Sequence, residues 1–158
     1  MKCWCGEMKI NSMREMVYRY DENSISQKRE ILAEGTYCNY KYIVMSHSLY
    51  PAVYIDLPDT IGKRLIYGGH TNAVEQLNRA VPVHGGWEYV CETLCTNDQG
   101  YQFRRGWFVG WTYNTADDYI AGDPFSNHKD GKKWTTAALI GEARAAIREI
   151  IAHEVDLE

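Results

Sequence analysis

"WTTAALIGEARAAIREIIAHEV", Trp134–Val155, is the stretch that decides how this chain folds. Its apolar residues Leu139, Ile140, Ala143, Ala146, Ile147, Ile150 and Ile151 recur at helical spacing, while Glu142, Arg144, Arg148, Glu149 and His153 fill the other side. Thr135 or Thr136 stands where a cap is needed. One broad apolar stripe on a single long helix implies packing against a sheet, and the chain before it supplies the strands.

Upstream, "ILAEGTYCNYKYIVMSHS" and "YPAVYIDLP" are rich in Ile, Val and Tyr. As a strand, Tyr40, Tyr42 and Val44 take one face and Lys41, Ile43 and Met45 the other. "HSLYP" signals a turn, and Pro58 stops the next strand. "DTIGKRLIYGG" reads as loop and short strand. "HTNAVEQLNRA" predicts one or two helical turns capped by Thr71 or Asn72, with Glu75 in the first turn. Three more strands are predicted at Ala80–His84, Trp87–Leu94 and Gln102–Trp111, the last two joined by the hairpin "TNDQG", Thr96–Gly100. Earlier, "MREMVYRY" reads equally as a short helix or an edge strand, and "YDENSISQKRE" as an exposed loop. The order predicts an α+β fold with one domain over residues 1–158: a mainly antiparallel twisted sheet with the long C-terminal helix packed on one face. Residues 1–30 form a variable N-terminal segment, 31–120 the sheet-rich core and 134–155 the helix.

The bulk numbers agree with a globular domain: 158 residues, 45% hydrophobic and 24% charged. Twelve tyrosines and five tryptophans suit both twisted sheets and binding faces. A net charge of −4 argues against duplex DNA or anionic lipid as partner and leaves docking onto a basic protein open. The chain has no run of about 18 apolar residues and no apolar signal core near Met1, so a cytoplasmic protein with five reduced cysteines is expected.

Chemistry concentrates in "VPVHGGWEYV", Val81–Val90, and "GWFVGWTYNTADDY", Gly106–Tyr119. Gly85 and Gly86 allow positive φ or a close approach, which lets His84 present its ring to a cleft as base, donor or ligand. The plainer reading is a turn whose histidine caps a carbonyl. Asp117 and Asp118 cap a turn or start a cation site, and Asp118 with His84 makes two ligands without an evident third. "CWC" and "CETLC" lack zinc-knuckle spacing; as a strand, Cys91 and Cys95 lie about 13 Å apart. No cysteine has an obvious activating neighbour. Arg105 (or Arg104) with Trp107, Trp111 and Tyr113 could hold a flat anion such as a nucleotide, or simply face solvent at a strand start. Phosphate loops, G-x-G-x-x-G and G-x-S-x-G are absent from the sequence. No metal and no cofactor is expected.

"VPVHGGWEY", "GWFVGWTYNTADDY" and "KKWTTAALIGEARAAI" together resemble a family of small bacteriophage and prophage proteins. That family's pattern runs from a strand ending in H-G-G, through W-x-G-F-D with a histidine and G-D-Y, to a helix opened by an aromatic residue and a threonine. His84, Gly85 and Gly86 match the first motif, Gly110, Asp118 and Tyr119 the second, Trp134 and Thr135 the third. Thr112 and Thr115 replace the pattern's aspartate and histidine, which removes half of any polar site there. The resemblance spans roughly residues 31 to 152 and implies a setting more than an activity. Small phage proteins often block a host defence, CRISPR nucleases included.

Three readings follow from this. The first is a non-enzymatic inhibitor that binds a host defence protein. The second is a nucleotide-like small-molecule binder, with a cleft lined by His84, Gly85, Gly86, Trp87, Arg105, Trp111, Asp118 and Tyr119. The third is a hydrolase using His84 as base. A homodimer would be unsurprising for so aromatic a chain.

Overall fold

The computed structural model describes residues 15–18, 28–120 and 130–157. Six strands form one antiparallel sheet: β1 (Met16–Val17), β2 (Arg29–Tyr37), β3 (Tyr40–His47), β4 (Pro51–Asp56), β5 (Tyr89–Cys95) and β6 (Phe103–Thr112), in spatial order β1-β2-β3-β4-β6-β5. Helices α1 (Asp59–Tyr67) and α2 (His70–Ala80) connect β4 to β5, and α3 (Thr136–Ala152) with the short α4 (Glu154–Leu157) closes the chain. The chain is thus an α+β fold with its C-terminal helix on the sheet, as the stripe in Leu139–Ile151 predicted. Thr135 is the cap, its hydroxyl accepting from Ala138 N at 3.0 Å.

The alternation read in β3 holds. Tyr40, Tyr42 and Val44 enter the large core beneath the helices, with Leu139, Ala143, Ile147 and Ile150 of α3. Ile43 and Met45 enter a smaller core on the opposite face, with Ala52, Tyr54, Leu94 and Phe108. That second face exists because the sheet curls. Glu34 of β2 and Arg104 of β6 are separated by two strands, about 14 Å in a flat sheet. They nevertheless meet in a two-point ion pair, Arg104 Nη1 and Nη2 donating to Glu34 Oε1 and Oε2 at 2.8 and 3.2 Å.

Several local expectations are overturned. "DTIGKRLIYGG" is helix α1, not loop and strand. Ile61 and Leu65, one helical turn apart, are its buried face. Gly62, which looked like a breaker, is there for contact, since a Cβ on it would fall 2.2 Å from Trp107 Cβ. Helix α2 is a full 11 residues that begins after Gly69, so Thr71 and Asn72 do not cap it and Glu75 lies beyond its first turn. Ala80–His84 is not a strand. Ala80 ends α2, Val81 N donates to Leu77 O, and Pro82 has no amide to give a ladder. β2 and β3 are separate strands joined at Cys38 and Asn39, both at positive φ (50° and 68°). "MREMVYRY" contains the two-residue edge strand β1. Cys38 is disulfide-bonded, which corrects the expectation of five reduced thiols, while Cys91 and Cys95 are free. The remaining cysteines, Cys3 and Cys5, lie outside the described residues, as does most of "YDENSISQKRE". Among the described residues no helix is long and apolar enough to cross a membrane.

Candidate functional site

Asp118 organises the first candidate region. Its side chain is 1% exposed and accepts four hydrogen bonds. Oδ2 takes His84 Nε2 at 2.7 Å, Thr115 N at 2.9 Å and Thr115 Oγ1 at 2.9 Å, and Oδ1 takes Trp134 Nε1 at 2.9 Å. Burial pushes the carboxyl's pKa up, but the donors from His84, Trp134 and Thr115 outweigh it and hold the group below its ordinary range. Three separate segments are thereby fastened: the α2–β5 connection, the turn after β6 and the entry to α3. Thr115, which departs from the phage pattern's histidine, supplies two of the four bonds.

The His84 ring is fixed on every side but one. It stacks on Tyr113 (4.7 Å between centroids, 14°) and meets Trp134 edge-on at 5.3 Å. Beneath it runs a second relay in which Trp111 Nε1 donates to Tyr113 Oη at 2.9 Å and Tyr113 Oη donates to Glu142 Oε1 at 3.1 Å. Burial, then the nearby Glu142 and Asp118 carboxylates, hold the Tyr113 phenol protonated well above its usual range, although the bond from Trp111 acts the other way. His84 Nδ1 has no hydrogen-bond partner among the described residues. The ring borders a cleft of about 230 Å³ between its loop and α3, lined also by Pro82, Trp111, Ala146, Glu142 and Glu149.

Of the residues expected to line one cleft, His84 and Trp111 do so, and Asp118 stands behind His84. Gly85 (φ 71°) and Gly86 (φ 86°) make the turn that carries the ring, with Gly86 N donating to Val83 O at 3.0 Å. Trp87 is core: 2% exposed, edge-on to Trp111, its Nε1 donating to Val81 O at 2.7 Å. Tyr119 is half-buried beneath Lys133 Nζ, 4.9 Å from the ring. Arg105 is elsewhere, six residues or about 20 Å down β6 from Trp111, exposed beside Trp107. Among the described residues, the cleft therefore has acidic side chains and no arginine. Asn78, whose Oδ1 accepts from Trp87 N at 2.8 Å and fixes the glycine turn, was missed; nothing in a helix-end asparagine signals it. Among the described residues no three His, Cys, Asp or Glu side chains gather closely enough to hold a metal ion.

The second region was not read from the sequence at all. Where the sheet curls, β1 and β2 face the β5–β6 hairpin across an open trough of about 870 Å³. Tyr18, Tyr101 and Phe103 border it at 53%, 68% and 56% exposure. Among the described residues, six large apolar side chains are exposed; these three share the trough and Met16 lines the cavity adjoining it. The walls are held by Arg29 N donating to Asp98 Oδ1 at 2.7 Å, and by the Glu34–Arg104 pair, which Tyr18 Oη joins by donating to Glu34 at 2.9 Å. Next to Arg29 in the β2–β3 register, His47 Nε2 lies 2.6 Å from Tyr54 Oη, and Tyr54 meets Tyr89 edge-on at 5.3 Å. Gly110, between those tyrosines, leaves room for them: a Cβ there would fall 2.4 Å from the Tyr54 ring. Burial, helped by the Arg29 charge, lowers the His47 pKa to about 4, so the ring is neutral near pH 7.

The edge strand β5 is blunted against pairing. A register shift falls between Cys91 and Thr93, and Tyr89 Oη donates to Thr93 O. Compared with known proteins, the chain matches no protein-family model, no curated protein and no solved structure. The phage-family resemblance thus rests on the short motifs that carry it.

Proposed function

We propose that this protein acts by binding another protein, and that its target is a component of a bacterial defence system, a CRISPR nuclease or similar, which it inhibits. The observation that carries the binding half is the trough. Tyrosine, phenylalanine and arginine are enriched where protein partners bury their hot spots, and here Tyr18, Tyr101 and Phe103 are left in solvent beside Arg29 and Arg104. The defence half is supported by the likeness of His84-Gly85-Gly86, Gly110, Asp118-Tyr119 and Trp134-Thr135 to the phage pattern. Affinity capture from a bacterial lysate carrying one defence system tests the reading. A stoichiometric partner recovered by the native protein and lost with Tyr101→Ala/Phe103→Ala is expected. Recovery of no stoichiometric partner, or of one indifferent to those substitutions, would overturn it.

One observation favours a second reading: His84, oriented by Asp118 through Nε2, borders a formed cleft and has no hydrogen-bond partner for Nδ1 among the described residues. That suits a small ligand or acid–base chemistry. Glu142 and Glu149 on the cleft wall disfavour a nucleotide's phosphates there, and Arg105 is too far away to offset them. A thermal-shift screen with no stabilised hit removes the ligand; an effect in cells that survives His84→Ala removes the hydrolase.

A further inference from the structure

We infer that Arg29 is the charged anchor of the trough, and that the partner presents to it a carboxylate flanked by apolar or aromatic side chains, an acidic segment of a protein chain. The inference rests on the trough being the binding face. It starts from the charges that line that face. Each acid there is already engaged: Glu34 with Arg104 and Tyr18, Asp98 with the Arg29 amide, Glu30 with Lys28 at 3.8 Å. The Arg104 guanidinium is committed to Glu34. Arg29 alone among these cations has a guanidinium with no hydrogen-bond or ion-pair partner among the described residues.

Its position makes that lack consequential. Arg29 is half-buried at the start of β2, opposite His47, and its charge is felt by His47, Tyr54 and Tyr89. A half-buried arginine whose guanidinium has no hydrogen-bond or ion-pair partner among the described residues offers an open fork of donors, which a carboxylate matches bidentately. The rings of Tyr101 and Phe103 on the facing hairpin supply the apolar contacts around it. A basic segment would leave the Arg29 fork without a partner and would meet acids that are already bonded to Arg104, Lys28 and the Arg29 amide. Single-stranded nucleic acid would also use aromatic and cationic groups, but Glu30, Glu34 and Asp98 on the walls oppose a continuous phosphate backbone.

The test is an NMR titration of the full chain with three probes: acetyl-Phe-Glu-Phe-amide, its glutamine counterpart, and octathymidylate. The glutamate peptide is expected to shift the Arg29 Nε–H and the amides around Tyr101 and Phe103, and to bind about tenfold more tightly than the glutamine peptide. Arg29→Met should erase that difference while leaving the residual apolar binding. Arg29→Lys, which keeps the charge and loses the fork, should restore part of it. Equal affinity for the two peptides overturns the carboxylate anchor and leaves the trough as a binding face. No shift from either peptide overturns the inference, and an empty lysate capture as well removes the underlying reading. Arg29-dependent binding of octathymidylate alone overturns it in favour of nucleic acid.

Discussion

The two faces of this sheet use the same aromatic chemistry to opposite ends. On the helix side, Trp87, Trp111 and Tyr113 are at most 2% exposed, and the one buried carboxylate among them, Asp118, has four donors. On the curled side, Tyr18, Tyr101 and Phe103 are more than half exposed, and the Arg29 guanidinium has no partner among the described residues. The first region is nearly saturated: apart from His84 Nδ1, its polar groups satisfy one another, which is what holding three chain segments together requires. The second is unsaturated, and unsatisfied surface is what a partner can complete. The residues that look most functional in the sequence, the H-G-G turn and its tryptophans, are therefore mainly architecture. Those that look dull, a tyrosine and a phenylalanine in a hairpin, carry the open surface.

The largest effect is expected at the saturated region. Asp118→Ala strands the donors of Trp134, Thr115 and His84 in the interior and should cost about 3 kcal/mol by urea denaturation. A cost below about 1 kcal/mol would mean that the carboxylate is not the fastening described.

Acid should separate the faces. The neutral His47 of the folded state has a pKa of about 4, against an ordinary value near 6.5, so between those values the unfolded chain binds more protons and folding stability falls as pH drops. The loss should be on the order of 2 kcal/mol and should vanish in His47→Gln. Asp118 and Glu34 are also shifted downward, but from the lower carboxylate range, so their contributions are present above their unfolded values and are lost only as pH falls further, below about 4.5. Urea midpoints at pH 7, 5.5 and 4.5 for native and His47→Gln proteins check the order. A native slope that persists in the variant would assign the window to another group.

Smaller still is Glu34→Gln. The pair it forms with Arg104 is partly exposed, and its loss should cost under about 1 kcal/mol. It should nonetheless alter partner capture, because the same pair sets the trough wall. Smallest in stability is Tyr101→Ala/Phe103→Ala, expected within about 0.5 kcal/mol of native because those rings are exposed. A large stability loss would show that they belong to a core rather than to a docking face.

How much of this could be read beforehand follows the range of the interactions. The α3 stripe, the alternation in β3 and the Thr96–Gly100 hairpin are local periodicities, and they were legible. So was the association of His84 with Asp118, although as two candidate ligands rather than an oriented pair. Helix α1 was misread because Gly62 serves contact with Trp107, a tertiary reason that looks like a local one. Arg105 was placed with Trp111 because both occur in one motif, yet six strand residues separate them. The trough was invisible because it depends on curl: only when Glu34 reaches Arg104 do Tyr18 and Phe103, far apart in sequence, share a surface.

The most direct test is the plating of a phage targeted by a defence system, CRISPR–Cas first, on bacteria expressing the native protein, His84→Ala or Tyr101→Ala/Phe103→Ala, with folding of each confirmed by thermal melting. Restored plating that survives His84→Ala and is lost with Tyr101→Ala/Phe103→Ala is the expected result. Plating abolished by His84→Ala and untouched by the trough pair would contradict the account and move the function into the cleft.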